Sequence, residues 1–250
     1  MTIMIPKLRT SRFSVQLKPL TIGQSLKIAK MPPAMEQAET TAFLRDAVEE
    51  AEGITDPAQW TVEERMFVVC HYLAATSGGA PDFEVGEGHY TDYLDLTTDH
   101  AETSLSLGEA CGDKWSVRPL LGQYADSLER LAGTVRDAEG TPISGRAHWL
   151  IGAMAAMLVR DGEKTLSADA VDGAVDEWLG ERIQVFLNFP EPDFAALIAL
   201  WAEGRRKMTH LFAIEFTENG IVAMPKEGAD LPPCRFPVDA CISDLAKAMV

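Results

Sequence analysis

Apolar residues recur at helical spacing along much of the chain, most clearly between Asp56 and Gly78. There Val62, Met66, Val69, Cys70 and Leu73 fall on one face, which a helix must bury. Thr61 followed by Glu64 fits a capping box, in which hydroxyl and carboxylate each satisfy a free amide at the helix start. Asp56-Pro57 reads as the turn before this helix, Trp60 as an apolar staple on its first turn, and Gly78-Gly79 as its stop. Upstream, Phe13, Val15 and Leu17 alternate with Ser14, Gln16 and Lys18, the period of a half-buried strand that Pro19 ends. Thr21 with Gln24 caps a short helix that Pro32-Pro33 stops. An Ala- and Glu-rich helix is expected over 35–52, terminated by Gly53.

Residues 79–115 are glycine-rich, with short runs such as Phe83-Glu84-Val85, and read as loop and small hairpins. An insertion of that length often has a job. The helical pattern restarts over 116–133. His148–Val159 is apolar nearly all round and is expected to be the most buried element. Ser167 is placed as the cap of a helix from Ala168, and Asp193 as the cap of Phe194–Gly204. Glu218-Asn219-Gly220 between Leu211–Phe216 and Ile221–Met224 predicts a hairpin, and Asp239–Met249 a last helix. No internal repeat of fixed period stands out, although a helix-rich stretch followed by loop or hairpin occurs twice, over 20–115 and 116–230.

These elements predict a mainly α (α+β) chain of two helical lobes with small β-hairpin insertions, the lobes meeting around 148–159. Residues 1–30 form a basic N-terminal arm and first strand. Residues 31–115 form the first lobe, with the glycine-rich insertion 79–115. Residues 116–250 form the second, with the hairpin 208–224 and an extended tail. The length of 250 residues and 46% hydrophobic content suffice for one large domain or two small ones. No apolar run reaches the roughly 18 residues of a membrane span, and the start does not read as a secretory signal. The four scattered cysteines read as reduced thiols of a cytoplasmic protein.

Charge sharpens the picture. The net charge is −16, yet residues 1–30 hold six basic residues and no acid, so the remaining 16 basic and 38 acidic residues carry −22. Such asymmetry fits an arm that docks on a negative partner; it equally fits a basic first strand neutralised by carboxylates of its own body. An acidic body repels nucleic acid.

Candidate chemistry is sparse. Cys70 and His71 are adjacent on a helix, about 100° apart, which suits a buried thiol beside an edge histidine better than a metal site. His89 and His100, with Asp92, Asp95 and Asp99 between them, are the nearest approach to a ligand set, with a solvated acidic loop as the simpler account. Cys70, Cys111, Cys234 and Cys241 make a four-thiolate site only if the fold gathers distant segments. No phosphate-cradling glycine loop, nucleophile elbow or His-Glu-x-x-His occurs. Paired acids such as Glu49-Glu50 and Glu63-Glu64 read as exposed helix charges. The chain is therefore expected not to be an enzyme, with no catalytic, cofactor or metal residue.

At Leu17-Lys18-Pro19-Leu20-Thr21-Ile22-Gly23-Gln24, and again at Trp60–Met66 with Leu73–Gly78, the chain resembles the baseplate hub assembly proteins of contractile-tailed bacteriophages of the T-even type. Val117-Arg118-Pro119-Leu120-Leu121-Gly122 is a weaker echo of the first motif. The resemblance covers about residues 13–130. It implies a tail or baseplate protein, structural or an assembly chaperone, that binds hub, tube or tape-measure proteins without turnover. Its place would be the virion tail, assembled in the host cytoplasm, in an oligomer dictated by the assembly. Family members often carry Cys-x-x-Cys ribbons in their hairpins. Here 83–111 has only Cys111 and 208–241 only Cys234 and Cys241, so shape rather than zinc would hold these loops. Partner-binding residues are expected at Lys7, Arg9, Arg12, Phe13, Phe83, Tyr90 and Tyr93, and no cofactor, nucleic acid or membrane is implied. The alternative is a metal- or Fe–S-binding protein using the scattered Cys and His residues.

Overall fold

The alternation at the N-terminus does what its period requires. In the computed structural model, which describes residues 4–77, 81–167 and 170–250, Phe13, Val15 and Leu17 are all buried on one face of a strand. Among the described residues there are eight α-helices, with 45% of the chain helical and 21% in strands of small sheets, so the fold is mixed α+β. The chain divides into two compact units. Unit 1 comprises 1–101, 210–214 and 222–250; unit 2 comprises 102–209 and 215–221.

In unit 1, β1 (Leu8–Arg9) and β2 (Phe13–Leu17) form an antiparallel hairpin, followed by α1 (Ile22–Ala29) and α2 (Glu36–Ala47). The expected helix over 35–52 stops at Ala47. Val48 turns extended and β3 (Val48–Gly53) pairs with β2, Leu17 opposite Val48 and Phe13 opposite Gly53. The Ala/Glu composition favours helix only weakly, whereas the free edge of β2 offers a full ladder of hydrogen bonds; pairing wins. Glu49 and Glu50 are thus exposed on an edge strand rather than a helix, where charge discourages further pairing.

The organising helix, α3 (Val62–Thr76), begins as expected: Thr61 Oγ1 accepts from Glu64 N, and Glu64 Oε2 accepts from Thr61 N at 2.8 Å. It is buried on nearly every side over Val62–Cys70, not on one face alone. Beyond it lie β4 (Glu84–Val85), β5 (Gly88–His89) and β6 (Leu94–Asp95). The expected stop at Gly78-Gly79 lies outside the described residues.

Unit 2 repeats this order. β7 (Leu105–Ala110) and β8 (Asp113–Val117) form a hairpin, followed by α4 (Gly122–Leu131) and α5 (Gly145–Met157). The chain then turns extended at Leu158, and β9 (Leu158–Arg160) pairs with β8, Val117 opposite Leu158. Then comes α6 (Asp172–Leu187). Each unit therefore runs strand, strand, helix, helix, strand, helix, with sheet orders β1-β2-β3 and β7-β8-β9. The junctions match as well: Lys18 N donates to Ala47 O at 2.9 Å, and Arg118 N to Met157 O at 3.0 Å. The two Pro-Leu motifs, Leu17–Gln24 and Val117–Gly122, occupy the same place in each unit, where the middle strand gives way to the first helix. An internal repeat is present after all, carried by topology rather than by sequence period.

α5 is buried from Gly152 to Met157, and Gly152 lets Leu128 of α4 close in, since a Cβ there would stand 2.2 Å from Leu128 Cδ2. The carbonyls at its C-terminal end receive arginines: Arg182 Nε donates to Ala155 O at 2.6 Å and Arg118 Nε to Ala156 O at 2.9 Å. Ser167 is not the cap of α6, which starts at Asp172 after an extended Val171; Ala168 lies outside the described residues. α7 (Glu191–Lys207) starts earlier than Asp193, with Pro192 in its first turn, where a missing N–H costs nothing. β10 (Leu211–Thr217) and β11 (Gly220–Met224) form the expected hairpin, and β10 also pairs with β6. In unit 1 the tail runs extended, through a 3-10 turn over Val238–Cys241, to α8 (Asp244–Lys247), which is much shorter than the expected Asp239–Met249. No helix among the described residues is long and apolar enough to cross a membrane.

Candidate functional site

The densest group of buried charge sits at the N-terminus of α3, inside unit 1. Glu63 and Glu64, expected as exposed helix charges, are 8% and 0% exposed. The capping box explains why: Glu64 must turn back onto Thr61 N, which points its carboxylate inward. Arg12, from the tight turn between β1 and β2, places Nη1 3.1 Å from Glu64 Oε2 and donates through Nη2 to Gln59 O at 3.3 Å. His210, just before β10, brings Nε2 to 3.5 Å from Glu64 Oε1. The next residue along the helix, Arg65, donates to Thr41 Oγ1 at 2.9 Å and to Gln37 O, fastening α3 to α2.

His210 is 3% exposed. Its Nδ1 lies 3.2 Å from Thr98 O and 3.9 Å from Asp99 Oδ1, and its ring stands 4.9 Å from that of His100. Burial pulls its pKa down, but the carboxylates of Glu64 and Glu63 outweigh it, so the imidazole titrates above its ordinary 6.5. Nε2 faces Glu64 Oε1 without a hydrogen bond between them, and Nδ1 sits within reach of both Thr98 O and the backbone N–H of His100, which donates to it at 3.3 Å. Burial pushes the Glu63 carboxyl up. The backbone here is strained: Leu211 has φ +60° and Phe212 N donates to His210 O at 2.6 Å, a three-residue turn. Leu211 N is held by Thr98 Oγ1 at 2.8 Å.

Chemically this is a buried ion cluster in which Arg12 bonds Glu64 while Glu64 Oε1 and His210 Nε2 face each other without a hydrogen bond. Ser11 Oγ donates to Asp99 Oδ1 at 2.7 Å, but His210 Nδ1 stands 3.9 Å from that oxygen, beyond hydrogen-bond reach, so Ser11, Asp99 and His210 do not make a relay. Arg12, Glu64 and His210 are nearly sealed from solvent, their side chains 8%, 0% and 4% exposed.

The residues expected to bind partners divide. Lys7 and Arg9 are exposed, Lys7 Nζ 3.2 Å from Glu52 Oε1. Arg12 belongs to the ion network, and Phe13 stacks on Trp60 at 4.2 Å. Tyr90 and Tyr93 are 6% and 2% exposed, Tyr93 donating to Pro232 O at 2.7 Å. Phe83 is half-buried and stacks on Tyr90. The arm is thus the first hairpin of a sheet, its inward residues committed to the core of unit 1.

The acidic stretch 82–99 caps backbone: Asp92 accepts from His89 N at 2.8 Å, Asp95 from Thr97 N at 3.0 Å, and Asp99 from Ser11 N at 2.9 Å. Among the described residues no three His, Cys, Asp or Glu side chains are grouped to hold a metal. Cys70, Cys234 and Cys241 belong to unit 1 and Cys111 to unit 2. Burial raises all four thiols, Cys241 to about 12, which favours the protonated form.

His210 is the member that sequence reasoning missed. It lies more than a hundred residues from Thr98 and Glu64, and no local spacing marks it. Comparison with protein-family models, with curated proteins and with solved structures returned no match, so what the chain does rests on its own geometry.

Proposed function

We propose that the protein is a bacteriophage tail or baseplate component, structural or an assembly chaperone, that works by binding other tail proteins and performs no turnover. The observation that carries the binding half of this reading is in unit 1. There α1 and α8 pack on each other, and Ile22 and Leu245 are 48% and 66% exposed, with Met249 and Val250 beyond them at 60% and 56%. Apolar side chains exposed on two elements that pack together supply area of the kind that a partner protein covers. The ion cluster at α3 braces unit 1, with Arg12 and Glu64 joining the first hairpin to the helix. The tail assignment is supported by the resemblance at 17–24 and 60–78, whose Thr61–Glu64 pair is the cap that organises unit 1.

The test is affinity capture from phage-infected cells with mass spectrometry, using the wild type and an Ile22→Asp/Leu245→Asp variant. Recovery of tail proteins by the wild type, lost in the variant while its melting temperature is unchanged, is expected. Recovery of metabolic enzymes alone would overturn the reading.

A further inference from the structure

Unit 1 also holds a cavity of about 170 Å³ between α3, Phe83 with the adjoining β4, and the C-terminal segment 235–240. Val69 and Leu73 of α3 form one wall, and Phe83 and Phe236 another. The aromatic wall is already built: Phe83 stacks on Tyr90 at 5.0 Å and meets Phe236 edge-on at 6.4 Å. Such rings lose little freedom when something docks against them.

Size and polarity decide what fits. Pockets for cofactors and metabolites run to roughly 300–1,000 Å³. A dry apolar cavity of about 150 Å³ takes one benzene ring. The walls offer little to grip a polar ligand: Arg235 Nη1 is bonded to Glu36 Oε2 at 2.8 Å, and burial keeps the Cys70 thiol protonated. Charge outside leans one way, with Glu84 exposed at the mouth, Arg235 already paired with Glu36, and unit 1 holding 11 basic against 19 acidic residues, a net −8.

We infer that this cavity is an anchor site for one apolar, ring-sized side chain of a partner polypeptide, flanked in that partner by a basic residue. The inference rests on the protein-binding reading above and names the chemistry of what is bound. Interfaces concentrate their energy in such desolvated sockets, where an aromatic anchor sits within a rim of weaker contacts. The basic neighbour meets Glu84 and the acidic surface, which speeds encounter and excludes acidic competitors.

The experiment titrates the full chain, with methyl-labelled valine and leucine, against toluene and three peptides: acetyl-Gly-Phe-Arg-Gly-amide and its Phe-Glu and Ala-Arg counterparts. Toluene and the Phe-Arg peptide are expected to shift the Val69 and Leu73 methyls saturably. The Phe-Glu peptide should bind at least about threefold more weakly at low salt, and the Ala-Arg peptide not at all. Ala240→Trp, an exposed position at the mouth, should abolish binding with unchanged melting; Val85→Trp is a second plug. Unmoved methyls, equal binding of the Phe-Arg and Phe-Glu peptides, or binding retained in both plugged variants would overturn the anchor site. So would capture of tail proteins by the plugged chain at the wild-type level. Peptide binding intact in a chain that captures no tail protein overturns the tail assignment and leaves the anchor site standing.

Discussion

Single residues in unit 1 set how stability responds to pH. His210 titrates above 6.5 in the folded chain, so its contribution is fully present below that value and is lost as pH rises through the folded pKa. His210→Gln should therefore destabilise by about 1.5–3 kcal/mol at pH 5.5 and by clearly less at pH 9, read from denaturant midpoints at each pH. Glu39 moves the other balance. Burial, then the charges of Asp239 and Glu36, push its carboxyl up to about 7, against Lys247. Ionising it costs stability as pH rises from its unfolded value near 4.5 through 7. Glu39→Gln should gain about 1 kcal/mol at pH 8 and nothing at pH 4, a figure kept low because the group is half-exposed. Neither behaviour was legible in the chain. Glu63 and Glu64 read as surface charges because nothing near them in sequence shows Arg12 and His210 arriving.

At the scale of elements, local signals were read correctly where the partners are local. Both Thr-based caps, the β2 alternation and the Asn-Gly hairpin depend on residues within a few positions of each other. The failures came where an edge strand recruited a helix-like sequence, as at 48–53, or where a proline extended a helix start, as at Pro192. The close contact of β3 with the β1–β2 turn gives a sharp test. Gly53 has φ +84°, and a Cβ there would stand 2.6 Å from Arg12 O, a backbone atom. Gly53→Ala should lower stability by about 2 kcal/mol or more, measured by chemical unfolding, whereas Gly173→Ala, with open space around it, should not.

For the whole molecule, the repeated order of strand, strand, helix, helix, strand, helix is the main finding. Unit 1 closes only with distant chain: Phe212, Phe236 and Val238 of its core come from beyond residue 209. Unit 2 is almost continuous, 102–209 with 215–221. A fragment 102–221 should therefore melt cooperatively on its own, and a fragment 1–101 should not, by circular dichroism and calorimetry. A cooperative transition in 1–101 would show that its core does not need the C-terminal segment.

By itself the sequence determined the helix caps, the alternating strand, the turn between β10 and β11 and the acidic character of the body, because each is written in neighbouring residues or in plain composition. Only the tertiary structure decided that Arg12 and Phe13 face inward, that 48–53 pairs as a strand, that His210 meets Glu64, and that two unlike stretches share one topology. These depend on contacts between residues tens to hundreds of positions apart, whose free energy outweighs local propensity and leaves no periodic mark along the chain.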